Sequence, residues 1–164
     1  NSARIVYGGS SVRYGSGLIG GAIFLNNTAD FSKSTAVDLE LLSASYGRLA
    51  TTAKFTKSDN KYYFSTVINA GLANNNLKYS TDRGEEKRLE KEVRSVMGLH
   101  SHFAMKIKDQ NQLDLYIWYQ ESDREIPPST TMATSEAYQV DRSLRSSIQW
   151  KSYFRKGVLN LKKL

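Results

Sequence analysis

Alternation of apolar and polar side chains with a period of two is the feature that most constrains the fold of this chain. It is clearest over residues 61–71, where one set of alternate residues is Tyr62, Phe64, Thr66, Ile68 and Ala70. Successive side chains of a β-strand point to opposite faces, so the pattern predicts a strand with one apolar face. The opposite face is predicted to carry Tyr63, Ser65, Val67, Asn69 and Gly71.

The same alternation recurs from residue 36 to the end of the chain. The apolar sets are Val37, Leu39 and Leu41; Leu49, Thr51, Ala53 and Phe55; Val93, Met97, Leu99, Phe103, Met105 and Ile107; Leu113, Leu115, Ile117 and Tyr119; and Leu144, Ile148 and Trp150. With a last segment that runs to Leu164, the pattern indicates about seven strands. We therefore predict an all-β fold built as an antiparallel meander.

The connections between these segments alternate in length. Tight turns are predicted at residues 58–60, 109–111 and 155–157, and long polar stretches at 72–91 and 122–138. Outer-membrane β-barrels have this asymmetry, with tight turns at one rim and long loops at the other. Residues 85–94 have no apolar face and are predicted to be loop. Trp150, Tyr153 and Phe154, beside the last turn, are candidates for an interfacial aromatic girdle.

The beginning of the chain has a different composition from the rest. Residues 1–27 contain six of the eleven glycines, which indicates tight turns and close backbone packing. Residues 28–35 are small and polar, as in a linker. We predict one structural region at residues 1–27, a linker at 28–35, and the strand-rich region at 36–164.

Composition excludes several classes of function. The chain has no cysteine, which excludes disulfides, thiolate metal sites and cysteine nucleophiles. No run of about 18 apolar residues predicts a transmembrane helix, although membrane β-strands remain compatible with this composition. The net charge of +7 is dispersed along the sequence, so no nucleic-acid partner is predicted. The start at Asn1 has no features of a signal peptide, and we expect a piece cut from a longer protein.

A glycine fingerprint at residues 15–20 is compatible with dinucleotide binding, and Asp38 follows at a suitable distance. That site requires a helix after the third glycine, whereas residues 21–25 have the composition of a short β run. We therefore predict no cofactor.

Two histidines, His100 and His102, are spaced to share one strand face, and Asp114 is a candidate third metal ligand on the next strand. Because no other convincing ligand accompanies them, a polar lining is favoured and no metal is predicted. The chain has neither a nucleophile elbow nor a distinctive pair of carboxylates. We therefore predict no catalytic residues and no enzymatic activity.

The glycine-rich head closely resembles the end of the plug domain in TonB-dependent outer-membrane receptors. The likeness is carried by the core motif YGSGLIGGAI, in which the motif residues are Tyr14, Gly15, Gly17, Gly20 and Gly21. Further along the chain, residues 124–128 and 139–142 resemble, more weakly, the segments around an extracellular loop of the cobalamin and siderophore receptors. The resemblance follows the whole chain in order and is sharp only over its first 27 residues.

The resemblance implies a 22-stranded transmembrane barrel, plugged by an N-terminal domain and held in the outer membrane of a Gram-negative bacterium. Such receptors take up scarce ligands, namely iron siderophores, haem or cobalamin, with energy delivered by TonB. The chain would contain the end of the plug and the first barrel strands, in contact with outer-membrane lipid. Residues 74–83 and 129–136 fall in the predicted long loops, and the ligand-contacting residues within them are not identified.

A soluble antiparallel β-sandwich or small barrel that binds a ligand is the alternative prediction. It uses the same strands, and it differs in the surroundings of Ile68, Leu99, Phe103, Leu115 and Ile117. These side chains face lipid in the receptor and a dry core in the alternative.

Overall fold

A computed structural model describes residues 2–7, 21–26, 28–74, 78–80, 84–88, 94–108, 110–126, 135–155 and 157–163. The chain divides into two compact units, Asn1–Asp30 and Phe31–Leu164. Within the described residues, no helix is long and apolar enough to cross a membrane.

The first unit contains a two-stranded antiparallel sheet. Strand β1 (Ser2–Tyr7) pairs with β2 (Gly21–Asn26). The short β run predicted after the glycine fingerprint is confirmed, in the place where a dinucleotide site would require a helix. Gly21 begins β2, and the other four motif residues, Tyr14, Gly15, Gly17 and Gly20, lie outside the described residues.

The second unit is built on one antiparallel sheet of seven strands. The strands in this unit are β3 (Ser34–Ala44), β4 (Arg48–Ser58), β5 (Tyr62–Ala73), β6 (Lys78–Ser80), β7 (Glu86–Arg88), β8 (Arg94–Ile107), β9 (Asn111–Glu125), β10 (Tyr138–Phe154) and β11 (Gly157–Lys163). The sheet has the order β3-β4-β5-β8-β9-β10-β11, so each strand lies beside the next of the seven along the chain. The predicted all-β class and the seven-stranded antiparallel sheet are confirmed.

The connections define two ends of this sheet. At the short-turn end, β4 and β5, β8 and β9, and β10 and β11 are separated by two or three residues each. The turn between β4 and β5 is closed by Asp59, whose carboxylate accepts hydrogen bonds from the backbone N–H groups of Lys61 and Tyr62 at 2.8 and 2.7 Å. These two bonds lower the pKa of Asp59 from its ordinary value, because they stabilise the charged carboxylate.

The other end of the sheet, the long-loop end, carries the connections from β5 to β8 and from β9 to β10. Residues 85–94, predicted as loop, include one strand of a small hairpin, in which β6 pairs with β7. Two short, wholly exposed strands give too few alternations for a period to be recognised in the sequence. The third connection at this end, from β3 to β4, has only three residues and was not anticipated.

The short turn between β3 and β4 places two residues in the left-handed region, Tyr46 with φ 62° and Gly47 with φ 66°. A Cβ atom on Gly47 would also lie 2.7 Å from the Asn74 side-chain nitrogen. Gly47→Ala is therefore expected to lower the free energy of unfolding by about 1–2 kcal/mol. Urea unfolding of the full chain in detergent micelles measures this change.

Gly157→Ala is the matched control for that substitution. Gly157 also begins a strand beside a turn, but its φ is not in the left-handed region and an added Cβ would meet no atom within 4 Å. We expect a change of less than about 0.5 kcal/mol. Equal effects at the two glycines would contradict the assignment of strain to the β3–β4 turn.

The pairing registers align the alternation of all seven strands. Phe103 of β8 pairs with Phe64 of β5 and with Leu115 of β9, so apolar residues lie beside apolar residues on one side of the sheet. We call this side the apolar face and the opposite side the polar face. The face assignments predicted from the sequence for 61–71 and for the later strands are confirmed wherever the structure describes them.

Burial differs sharply between the two faces. All buried residues in the described part of the sheet belong to the polar face: Ser58, Ser65, Gly98, His102, Ala104, Gln112, Asp114 and Ser122. On the apolar face, Val37 is 72% exposed and Leu144 is 71% exposed. In a single layer, side chains crowd together only on the concave side, so we infer that the sheet curls toward its polar face.

The predicted aromatic girdle is wrong in one member. Trp150 pairs with Leu161 and lies on the apolar face, as does Phe154. Tyr153 lies on the polar face, where its hydroxyl donates to Gln112 Oε1 at 3.4 Å. The period of two separates Tyr153 from its neighbours, which adjacency in the sequence conceals.

Candidate functional site

A buried polar cluster occupies the polar face near the short-turn end. Its centre is the carboxylate of Asp114 on β9, which has no solvent-exposed surface. Asp114 Oδ1 lies 2.8 Å from His102 Nε2, and Asp114 Oδ2 accepts a hydrogen bond from Lys151 Nζ at 3.0 Å. Gln112 Nε2 donates to both carboxylate oxygens at 3.0 Å. An ion pair and several hydrogen bonds therefore offset the free-energy cost of burying this charge.

Aromatic rings enclose His102 in the same cluster. Its imidazole stacks on Tyr116, with ring centroids 4.2 Å apart and an interplanar angle of 16°. On the other side, Tyr63 approaches with a centroid distance of 5.1 Å. The cluster therefore joins side chains of four neighbouring strands, β5, β8, β9 and β10, at this end of the sheet.

The cluster brings together only part of the metal site considered from the sequence. His102 and Asp114 are in contact with each other, while His100 lies farther along β8, level with Val67 and Trp118. Among the residues that the structure describes, no three His, Cys, Asp or Glu side chains form a group that could hold a metal ion. Both oxygens of the Asp114 carboxylate are engaged within the cluster, by His102, Gln112 and Lys151.

Lys151, Gln112 and Tyr116 are members of this cluster that sequence reasoning did not identify. Lys151 lies on β10, whereas Gln112 and Asp114 lie on β9. The β9–β10 register, in which Gln112 pairs with Lys151, brings the Lys151 side chain to the cluster. A possible signal was the repeated occurrence of polar residues on the same face of three adjacent strands near a tight turn.

The apolar face carries an uncharged band that crosses the sheet obliquely. On β10 the band runs from Leu144 to Phe154 and is bounded by Arg142. On β4 it runs from Leu49 to Phe55 and is bounded at the opposite end by Lys57. Through the successive pairings, Lys57 is level with Ile148, in the middle of the β10 band. The band therefore shifts along the strand direction from one strand to the next.

The size of this shift gives an angle. The middle of the β4 band, Thr52, is level with Ser143, whereas the middle of the β10 band is Gln149. The offset of six residues accumulates over the four steps from β4 to β10, which is about 1.5 residues per strand. The rise is about 3.4 Å per residue and the spacing between strands is about 4.8 Å. The band therefore lies in one plane, parallel to a membrane, only if the strands are inclined by about 45° to the normal of that plane.

The predicted ligand-contacting loops are described only in part. Asn74 ends the β5 side of the first loop, and its backbone N–H donates to the carbonyl of Tyr46 at 3.2 Å. Of the remaining residues in the two predicted segments, 78–80 and 135–136 are described and the others lie outside the described residues.

No protein-family model matches the chain, and a search of curated proteins gives no match to it.

Proposed function

We propose that the chain is a piece of a TonB-dependent outer-membrane receptor, comprising the end of the plug domain and the first strands of a 22-stranded barrel wall. The intact receptor takes up an iron siderophore, haem or cobalamin through the outer membrane of a Gram-negative bacterium. The oblique band on the apolar face carries this proposal. It supplies a lipid-facing surface, while the polar face lines the interior of the barrel.

The dimensions of the sheet support a membrane wall. The first six strands of the sheet have 11 to 17 residues, where a membrane-spanning strand needs about 9–11 and an ordinary strand has about 5–6. The inclination of about 45° needed to level the band agrees with the 35–45° tilt of strands in membrane barrels. Both quantities come from the seven-stranded sheet alone, so they support the proposal independently of the glycine motif near the start of the chain.

The two faces favour the receptor over a soluble sandwich. A sandwich packs its apolar faces together and leaves polar faces in water. In this sheet the large side chains of the apolar face are largely exposed, and the buried side chains, all on the polar face, are largely polar. Ile68 is 51% exposed, and Phe103, Leu115 and Ile117 are each more than one third exposed. Such an apolar surface in water would be an aggregation site, whereas lipid would cover it.

Expression of the complete gene in a Gram-negative host tests the proposal. The protein is expected in the outer-membrane fraction, and a host lacking its own receptor should gain growth on one ligand of the proposed classes only when TonB is present. Recovery of the protein from the soluble fraction without detergent would overturn the membrane assignment. Uptake that is equal with and without TonB would overturn the receptor assignment.

A further inference from the structure

Three arginines lie at one level of the polar face, at the long-loop end of the sheet. Arg94 of β8 pairs directly with Arg124 of β9. On the other side, Arg94 pairs with Ala73 of β5. Arg48 of β4 follows one step beyond the pair of Leu49 with Leu72, which brings it level with Ala73. The row therefore crosses β4, β5, β8 and β9, and Ala73 of β5 lies between Arg48 and Arg94.

Among the described residues, none of the three arginines of this row forms a salt bridge with a carboxylate. Arg124 donates instead to the neutral amide oxygen of Gln139, through Nε at 3.1 Å and a terminal nitrogen at 2.5 Å. Like charges placed directly opposite each other destabilise a sheet, so Arg94 and Arg124 carry a cost for the fold alone.

A cavity opens between Arg48 and Arg94. Its volume is about 370 Å³, and eight of its twelve lining residues are at polar-face positions: Arg48, Ala50, Thr52, Asn69, Gly71, Ala73, Arg94 and Val96. The space exists because the sheet positions between the two arginines hold small residues. A Cβ atom added to Gly71 would already be in van der Waals contact with the Ala50 Cβ, at 3.7 Å.

We propose that this cavity binds a small molecule that carries two or more carboxylate or phosphate groups. Arg48 and Arg94 stand on strands separated by one intervening strand, about 10 Å apart at the backbone, so their side chains can reach one anion from both sides. The guanidinium group matches carboxylate and phosphate with paired N–H donors. Thr52 and Asn69 add neutral polar groups, and the volume is within the range of small-ligand sites.

The site is defined by side chains of three adjacent strands and does not depend on the proposed receptor function. The protein can therefore be a receptor without an anion site, or a soluble protein with one, and the two tests distinguish these outcomes. Binding is measured by calorimetry on the full chain in a non-ionic detergent, with pyrophosphate as the phosphate probe and tricarballylate as the carboxylate probe. We expect saturable binding of at least one probe, weakened by added salt.

Variants distinguish binding in the cavity from nonspecific attraction to the positive charge of the chain. Arg48→Gln and Arg94→Gln should each weaken binding at least about tenfold, because each removes a charge-assisted contact. Arg145→Gln is the control, since Arg145 is on the same face and its guanidinium lies 5.0 Å from the ring centre of Trp118. It should change affinity less than about twofold.

Gly71→Leu fills the cavity and leaves every charge in place, and it should abolish binding of the probe. Circular dichroism identifies any variant that does not fold, and the two arginine variants, at exposed positions, then decide the question. Equal weakening by Arg145→Gln, unaltered binding in Gly71→Leu that is folded, or no binding of either probe at millimolar concentration would each overturn the proposal.

Discussion

Asp114→Ala is expected to lower the free energy of unfolding of the chain by about 3–5 kcal/mol. The carboxylate has no exposed surface, and its removal leaves His102, Lys151 and Gln112 without their common partner. The Lys151 side chain is only 15% exposed, so its ammonium group would lose an ion pair without gaining full hydration. Urea unfolding of the full chain in detergent micelles measures the difference.

Two further variants make this prediction specific. Asp38→Asn, an exposed carboxylate on the same face, should change stability by less than about 0.5 kcal/mol. The double variant Asp114→Ala with Lys151→Met should be less destabilised than the sum of its single variants, because it removes the unpaired charge as well. A loss below about 1 kcal/mol for Asp114→Ala would show that the cluster does not hold the strands together.

Ile148→Arg is expected to destabilise the protein in lipid vesicles by about 2–4 kcal/mol. Ile148 lies near the middle of the β10 band, where a guanidinium group would have to enter hydrocarbon or distort the bilayer. The free energy of unfolding by urea in vesicles measures the difference.

Ser143→Arg is the control on the same strand. Ser143 is exposed on the polar face, so an arginine there can remain in water and should cost less than about 0.5 kcal/mol in vesicles. Equal costs for Ile148→Arg and Ser143→Arg would contradict the assignment of lipid and water to the two faces.

The strands could be predicted from the sequence because one face of each must remain apolar for the sheet to have a consistent outer surface. Tyr62, Phe64 and Ile68 fall on one side of β5 by their spacing alone, and a slip of one residue would reverse every side chain. The β6–β7 hairpin and the β3–β4 turn lack such a pattern. The turn depends on the φ angles of Tyr46 and Gly47, which the composition of residues 45–47 does not specify.

The polar cluster could be predicted only in part. His102 and Asp114 were recognised as neighbours, since adjacent strands of a meander lie side by side. Their role was not, because it depends on Lys151, which the β9–β10 register brings alongside. The arginine cavity depends on register in the same way. Arg48, Arg94 and Arg124 are far apart in the sequence, and three separate pairings place them at one level.

The most direct measurement of the central claim is accessibility along β10 and β4 in lipid vesicles. The chain has no cysteine, so single cysteines carrying a nitroxide label can be introduced one at a time. On β10, labels at even positions from 144 to 154 should collide mainly with oxygen in lipid, and labels at odd positions from 143 to 149 mainly with a water-soluble nickel complex. On β4, the lipid-exposed odd positions should run from 49 to 55 and end before Lys57. Even β10 positions that are protected from both reagents would indicate a dry protein core and would contradict the account.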